Sequence, residues 1–292
     1  MAVGFSAADR ESDSQQAFLN KWVAVGRHAG MQWMARHAVL RSDPESILPG
    51  ARTIISVAYS YAPRALRVAS LPVISRYAYG ADYHDVLREV LSKIVRDAGI
   101  EQQCRICIDS APISERYRAA RAGIGVVGDN GMLIVPGVGA EVFLAEIVTT
   151  IEYEPDAATA GECLHCGACR RICPTGALQE DGTIDCRRCI SYLTIEHRGP
   201  WMEDEAVEAM STEAGRHTLF GCDACVTVCP MNNAGAAERN VLFPADPDII
   251  NMKKLPDFPS KGAFRRQFAG SPLLRPGIEG LLRNQQNCNK PN

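Results

Sequence analysis

An α/β (α+β) domain followed by a smaller cysteine-rich domain is the fold class the sequence predicts, and three observations predict it. Helix-like and strand-like apolar periods alternate over the first half of the chain, most of the 12 cysteines fall between Cys163 and Cys229, and a polar stretch from Glu152 to Glu162 lies between the two. A chain of 292 residues is long enough for two compact units.

The segment from Ser14 to Gly30 follows Asp13 and spaces Phe18, Trp22 and Val25 on one helical face, so it reads as an amphipathic helix. Thr53 to Tyr59 is a β-branched, apolar run behind Gly50, which suits a buried strand. From Tyr83 to Asp97 the pairs Val86/Leu87, Val90/Leu91 and Ile94/Val95 recur at helical spacing, and Gly99 stands where helices commonly end. Cys104 to Asp109 reads as a strand, followed by a helix capped near Ser110 that ends before Gly123. Asp109 would then sit at a strand's carboxyl end, the edge where open α/β sheets bind ligands. Met132 to Val135 and Val142 to Thr149 are two further strands. From Val241 onward the prolines suggest a wrapping tail with one short helix near Ile278 to Asn284.

Charge and composition exclude some functions. The net charge of −3 does not drive the protein onto nucleic acid or an anionic membrane, so any RNA contact would need a local basic patch. No apolar run approaches the roughly 20 residues of a membrane-spanning helix. Met1 to Arg10 lacks the features of a secretion signal, so a cytoplasmic location is expected. In a cytosolic chain of this size, cysteines more often ligate metal or do redox chemistry than form disulfides.

The strongest motif is Cys163-Leu-His-Cys166-Gly-Ala-Cys169-Arg-Arg-Ile-Cys173-Pro174. Three closely spaced thiolates let one loop wrap three corners of a 4Fe-4S cubane, while the fourth cysteine, followed by proline, ligates the other cluster in two-cluster ferredoxins. A partner motif is present as Cys222-Asp-Ala-Cys225-Val-Thr-Val-Cys229-Pro230, without a first cysteine nearby. Cys186 and Cys189 are the candidates for that missing ligand, and Cys189 is chosen. One cluster would then use Cys163, Cys166, Cys169 and Cys229, the other Cys189, Cys222, Cys225 and Cys173. Structural zinc also takes four thiolates, but the triple spacing and trailing proline favour cubanes. Cys104, Cys107 and Cys288 lack such company; the first two would face opposite sides of a strand as buried free thiols. Gly123-Ile-Gly125-Val-Val-Gly128 fits a dinucleotide pattern on paper, yet it follows a helix and precedes a strand, the reverse of the required context.

Over nearly its whole length the sequence resembles the epoxyqueuosine reductase family, the cobalamin and iron-sulfur enzymes that finish queuosine in tRNA. The resemblance rests on Trp33-Met-Ala-Arg-His37, Leu48-Pro-Gly50, Ile74-Ser-Arg-Tyr-Ala-Tyr-Gly80 with Asp82-Tyr-His84, Asp109-Ser-Ala-Pro112 with Glu115-Arg116, Arg121-Ala-Gly-Ile-Gly125, Cys189 to Glu196, and Gly221-Cys222-Asp223. The family has a cysteine at the position of Cys189 and usually none at Cys186. The resemblance makes residues 1–152 a cobalamin-binding catalytic domain, 153–240 a ferredoxin-like double 4Fe-4S domain and 241–292 the tail. It implies a cobalamin reduced by one-electron steps through the two clusters until it can attack or reduce the epoxide. It also implies Asp109 as proton donor, with Arg76, Tyr77, Tyr83, His84, Arg116, Gly125 and Asn130 near the corrin or substrate. An Asp in that role would need burial to raise its pKa. Implied partners are the anticodon region of tRNA and an external electron donor such as a flavodoxin or ferredoxin, with the protein a monomer.

Two departures stand out. Many family members carry Trp and Lys in the loop matching Val126 to Asn130, where this chain has Asp129. The C-terminal helical repeats of longer members are absent from the sequence, which reads as a short form. Two other functions compete: a ferredoxin-like electron carrier, and a cobalamin-dependent reductase of another substrate, as in reductive dehalogenases. Asp109 and the intact block from Arg76 to His84 favour an enzyme over a carrier.

Overall fold

In the computed structural model, which describes residues 1–157 and 161–290, the chain opens on a strand the sequence does not announce. This is β1 (Ala2–Ala7), where Gly4 and Ser6 interrupt the apolar pattern. Helix α1 (Asp13–Ala24) follows, its Ser12 hydroxyl accepting from the Gln15 N–H. It ends at Ala24 rather than Gly30, and its expected apolar face is not a core face, since no residue of α1 is buried and Phe18 and Val25 are exposed. The helix lies on the surface and reaches the cysteine-rich half through Trp22, whose Nε1 donates to the Ile184 carbonyl at 2.7 Å. Two short helices, α2 (Gln32–Arg36) and α3 (Ala38–Arg41), lead to the buried strand β2 (Thr53–Ser60).

After β3 (Val73–Ile74), helix α4 (Tyr83–Asp97) starts where the Asp82 carboxylate accepts from the His84 N–H, and it buries Leu87, Leu91 and Val95. Strand β4 (Cys104–Cys107) is shorter than its apolar run. Helix α5 (Glu115–Arg121) begins after Ser114, not near Ser110, because Ser110 and Ile113 are held in a turn by the carbonyls of Ile108 and Ala111. A hairpin of β5 (Val126–Val127) and β6 (Leu133–Ile134) precedes the long strand β7 (Val142–Thr149).

The main sheet runs β1-β2-β7-β4 and every neighbouring pair is antiparallel. The carboxyl-edge rule belongs to open parallel sheets, so it does not explain the position of Asp109 here. Cys104 and Cys107 join apolar clusters on opposite faces of this sheet; Cys107 is buried, whereas Cys104 is only partly so.

The second half has little regular structure: α6 (Ala168–Ile172), α7 (Ile190–Ile195), α8 (Asp204–Ser211), α9 (Glu213–Arg216), β8 (Thr218–Phe220) and α10 (Ala224–Thr227). The tail is more helical than its prolines suggest, with α11 (Pro247–Ile250), α12 (Lys261–Gln267) and α13 (Gly277–Cys288). Its described prolines sit in helix first turns or between helices, positions that need no backbone N–H. One apolar cluster joins all three parts: Ile74 and Tyr79 pack with Phe220 and with Phe264, Leu273 and Leu281 of the tail. Among the described residues, no helix is long and apolar enough to cross a membrane.

Candidate active site and cysteine centres

The cysteines gather into two sets. Cys163, Cys166, Cys169 and Cys229 line one hollow, with Leu164, Gly167 and Met231 around them. The loop that carries the first three turns tightly because His165 and Gly167 both adopt positive φ, at 47° and 68°. The other set is Cys173, Cys189, Cys222 and Cys225, whose thiols are near enough to act electrostatically on one another. Cys186 is instead buried among Ile190, Leu193 and Met210. Sequential cysteines thus cross over, Cys173 leaving the first loop for the second set and Cys229 returning to the first, which is the exchange a two-cubane arrangement requires.

Asp129, the charge that departs from the family's loop, is met from the cysteine side: its carboxylate lies 2.8 Å from His165 Nδ1 and 3.9 Å from Arg170. Asn130 is buried and its side chain is spent on structure, with Nδ2 donating to the Cys225 carbonyl at 3.0 Å and Oδ1 accepting from the Met132 N–H at 3.1 Å. Gly125 also has a packing role, since a Cβ there would lie 2.3 Å from the Ile134 carbonyl oxygen. These two residues steady the second cysteine set and the hairpin rather than offer free groups.

Strand β3 brings the two halves together. The Asp223 carboxylate, beside Cys222, accepts from the Ser75 hydroxyl and from the Arg76 N–H, the latter at 2.6 Å. Arg76 Nη1 also donates to Glu141 at 2.9 Å. The approach is so close that a Cβ on Gly221 (φ +73°) would lie 2.4 Å from Ser75 Cβ. Tyr77 follows, edge-on to Phe143 and Tyr83, while Tyr83 stacks on Phe143 at 4.4 Å and on His84 at 4.1 Å. Burial pushes both phenols far above their usual pKa, so they remain uncharged.

At the end of that aromatic wall stands Asp109. Its backbone is in the left-handed region (φ +53°) just beyond β4, its N–H donates to Glu115 Oε1 at 2.7 Å, and its carboxylate lies 3.5 Å from His84 Nε2. His84 Nδ1 in turn meets Asp82 at 2.7 Å. A non-glycine residue at positive φ is strained unless its surroundings hold it, and Glu115 and His84 do so here. The Asp109 side chain is 62% exposed, open to solvent on one face and walled by protein on the other.

The rise expected for Asp109 belongs to burial beside a corrin; the protein's own groups move its pKa the other way. The hydrogen bond with His84 holds the carboxyl below its ordinary value; burial opposes it, and the charges of His84, Arg116 and Arg275 reinforce it. Burial alone would lower His84, but its bonds with Asp109 and Asp82 outweigh that and push the imidazole up to about 9. Burial, then the neighbouring Asp109 charge, pushes Glu115 up to about 8. At neutral pH the protons in this cluster therefore sit on His84 and Glu115, and Asp109 is the base that shares His84's proton. Such a cluster can pass the His84 imidazolium proton through the Asp109 carboxylate to a developing oxyanion, leaving the imidazole neutral. Arg116 is exposed and donates to the Gly131 carbonyl. Arg275 faces the same cluster from the tail, tied to Glu196 at 2.8 Å. Arg275 was given no role from the sequence, and Glu115 was read only as part of the family block; the further signal for Glu115 was an acid in the first turn of a helix six residues after Asp109.

An α/β scaffold with an ionisable cluster at its sheet end, joined to two four-cysteine centres, is that of an iron-sulfur oxidoreductase. A family model described as "Epoxyqueuosine reductase QueG, DUF1730" matches residues 41–110, and one described as "4Fe-4S double cluster binding domain" matches residues 162–232. The epoxyqueuosine reductase of Aliivibrio fischeri is 36% identical over 286 residues, spanning 94% of this chain and 76% of that protein. That of Escherichia coli is 39% identical over 292 residues, spanning 94% and 74%. A solved epoxyqueuosine reductase with an epoxyqueuosine-modified tRNA-Tyr stem loop superposes with a TM-score of 0.84 at 29% identity, covering 98% of this chain and 76% of that one. The Bacillus subtilis enzyme, solved with its catalytic aspartate loop swung out of the active site, gives 0.81 at 30% identity over the same shares. The chain belongs to the epoxyqueuosine reductase family.

Proposed function

We propose that this chain reduces epoxyqueuosine to queuosine in tRNA, with Asp109 as the residue that passes the proton and the two cysteine sets, each holding a 4Fe-4S cluster, as the electron path. The observation that carries the reading is the joint at Ser75, Arg76 and Asp223, which fastens the second cysteine set to the strand end leading to Tyr77, Tyr83 and Asp109. Removing the epoxide oxygen as water consumes an electron pair and protons, and this arrangement brings both supplies to one place. Clusters deliver electrons singly, and a cobalamin would store them as a reducing equivalent at the reacting carbon.

The groups present fit that cofactor in kind. Uncharged Tyr77 and Tyr83 offer an apolar wall, Arg76 and Arg116 offer cationic donors, and the face of Asp109 is open. Asn130 and Gly125 would act indirectly, by fixing the hairpin and the second cysteine set. The electrons would enter from a small redox protein, a flavodoxin or ferredoxin, at the exposed loop of Cys166.

The test is to reconstitute the protein anaerobically with iron and sulfide, titrate it with cobalamin by absorption spectroscopy, and then supply epoxyqueuosine-containing tRNA and a low-potential reductant. About eight irons, a corrin spectrum altered on binding, and queuosine among the digested nucleosides are expected. Full iron with neither corrin binding nor queuosine would leave an electron carrier.

A further inference from the structure

Beside Asp109 runs an open groove of about 750 Å³ between α4 and the outer edge of β4. Its wall on α4 carries Arg88, Ser92 and Arg96, which continue at four-residue spacing from His84, the partner of Asp109. Four-residue spacing keeps side chains on one helical ridge, and twelve residues of helix extend about 18 Å. Arg105 on β4 faces them, and Ser110, next to Asp109, closes the near end. Arg88, Arg96 and Arg105 are exposed, and among the described residues their guanidinium groups make no hydrogen bond or ion pair. One acid, Glu101, lines the groove against these three cations, in a chain whose net charge is −3.

We infer that this groove is a phosphate track: Arg88, Arg96 and Arg105 hold the RNA backbone flanking the modified nucleotide and so bring that nucleotide to Asp109. The inference rests on the function proposed above and adds where the RNA lies. An unpaired arginine suits phosphodiester oxygens, and phosphate contacts set register and orientation without reading sequence. A ridge that begins at the proton-handling pair is placed to do that for one particular nucleotide. The outer edge of β4 leaves backbone N–H groups facing the same space, further donors for an anion. The rival anion is the phosphate of a cobalamin tail, and the same variants separate the two.

The experiment compares the reconstituted full chain with its Arg88→Gln/Arg96→Gln/Arg105→Gln variant, using Lys93→Gln on α4, outside the groove lining, as a control for overall charge. Affinity for a tRNA-Tyr anticodon stem loop is measured across a salt series, alongside cobalamin titration, iron content and circular dichroism. The expected result is at least about tenfold weaker RNA binding by the triple variant and a log–log salt slope shallower by about two to three. The control, iron content and corrin binding should be unchanged. Wild-type affinity and slope in a folded triple variant would overturn the track, as would weakened corrin binding with RNA binding intact. A wild-type chain that binds no stem loop at all would instead remove the tRNA reading, and the track with it.

Discussion

The two halves of this protein hold their shape by different means. In the first half, β2 and β7 pair over eight residues each, flanked by β1 and β4, and α4 covers the sheet with Leu87, Leu91 and Val95. In the cysteine-rich half the elements that carry ligands, α6 and α10, have five and four residues, too few to persist alone. A hydrogen-bonded ladder specifies one half, and inorganic cross-links must specify the other. The difference teaches where function could be built: proton chemistry needs side chains fixed to within tenths of an ångström by a scaffold, whereas cluster ligation supplies its own rigidity.

The comparison breaks most visibly if the iron is removed. Chelating it from the anaerobic protein should bring the backbone amides of the segment from Cys163 to Cys229 near to unprotected exchange rates, while those of β2 and β7 remain protected. Hydrogen exchange read by mass spectrometry checks this. Equal protection of both halves without iron would show that the cysteine-rich half has a scaffold of its own.

Within the first half, the expected effects are smaller and separable. Asp109→Asn should lower turnover about a hundredfold to ten-thousandfold with iron content unchanged. Glu115→Gln keeps an acceptor for the Asp109 N–H and should cost far less than Glu115→Ala, which leaves the left-handed turn unheld. Single-turnover rates of the three variants decide it, and equal losses for Gln and Ala at position 115 would assign Glu115 a role in proton supply rather than in holding the turn.

The smallest effect concerns pH. His84 is raised above its ordinary value to about 9, so the stability it contributes is fully present below pH 6.5 and is lost as pH rises through 9. Glu115, raised to about 8, loses stability in an overlapping window from pH 4.5 upward. His84→Gln should therefore shrink, without abolishing, the fall in Tm between pH 6.5 and 9. An unchanged fall would mean that the His84–Asp109 contact does not persist in solution.

The same contrast governs what could be read in advance. The grouping of the cysteines was legible because cubane motifs draw on short, regular spacings; Cys189 rather than Cys186 stands with Cys173, Cys222 and Cys225. The helix at Tyr83 and the strand at Val142 were legible because each buries a continuous face. Strand β1 was not, since Gly4 and Ser6 break its alternation and its partner lies some fifty residues away. The apolar spacing in α1 misled because, of Phe18, Trp22 and Val25, Trp22 alone packs against the cysteine-rich half. Asp109 could be picked out, but its ionisation could not, because the imidazole that sets it arrives from the start of α4. No local pattern reveals a pKa fixed by a neighbour 25 residues upstream.

Between Val73 and Phe220 the halves are sewn by a parallel ladder, by the grip of Asp223 on Ser75 and Arg76, and by an apolar cluster continued into the tail. Many redox enzymes swing a carrier domain between charging and discharging positions, and their rates then slow in viscous solvent. A seam of this kind leaves no hinge to swing. On the electron path proposed above, the tunnelling gap from the second cysteine set to the aromatic wall is fixed when the chain folds, so internal electron transfer should run like a wired junction, indifferent to added glycerol.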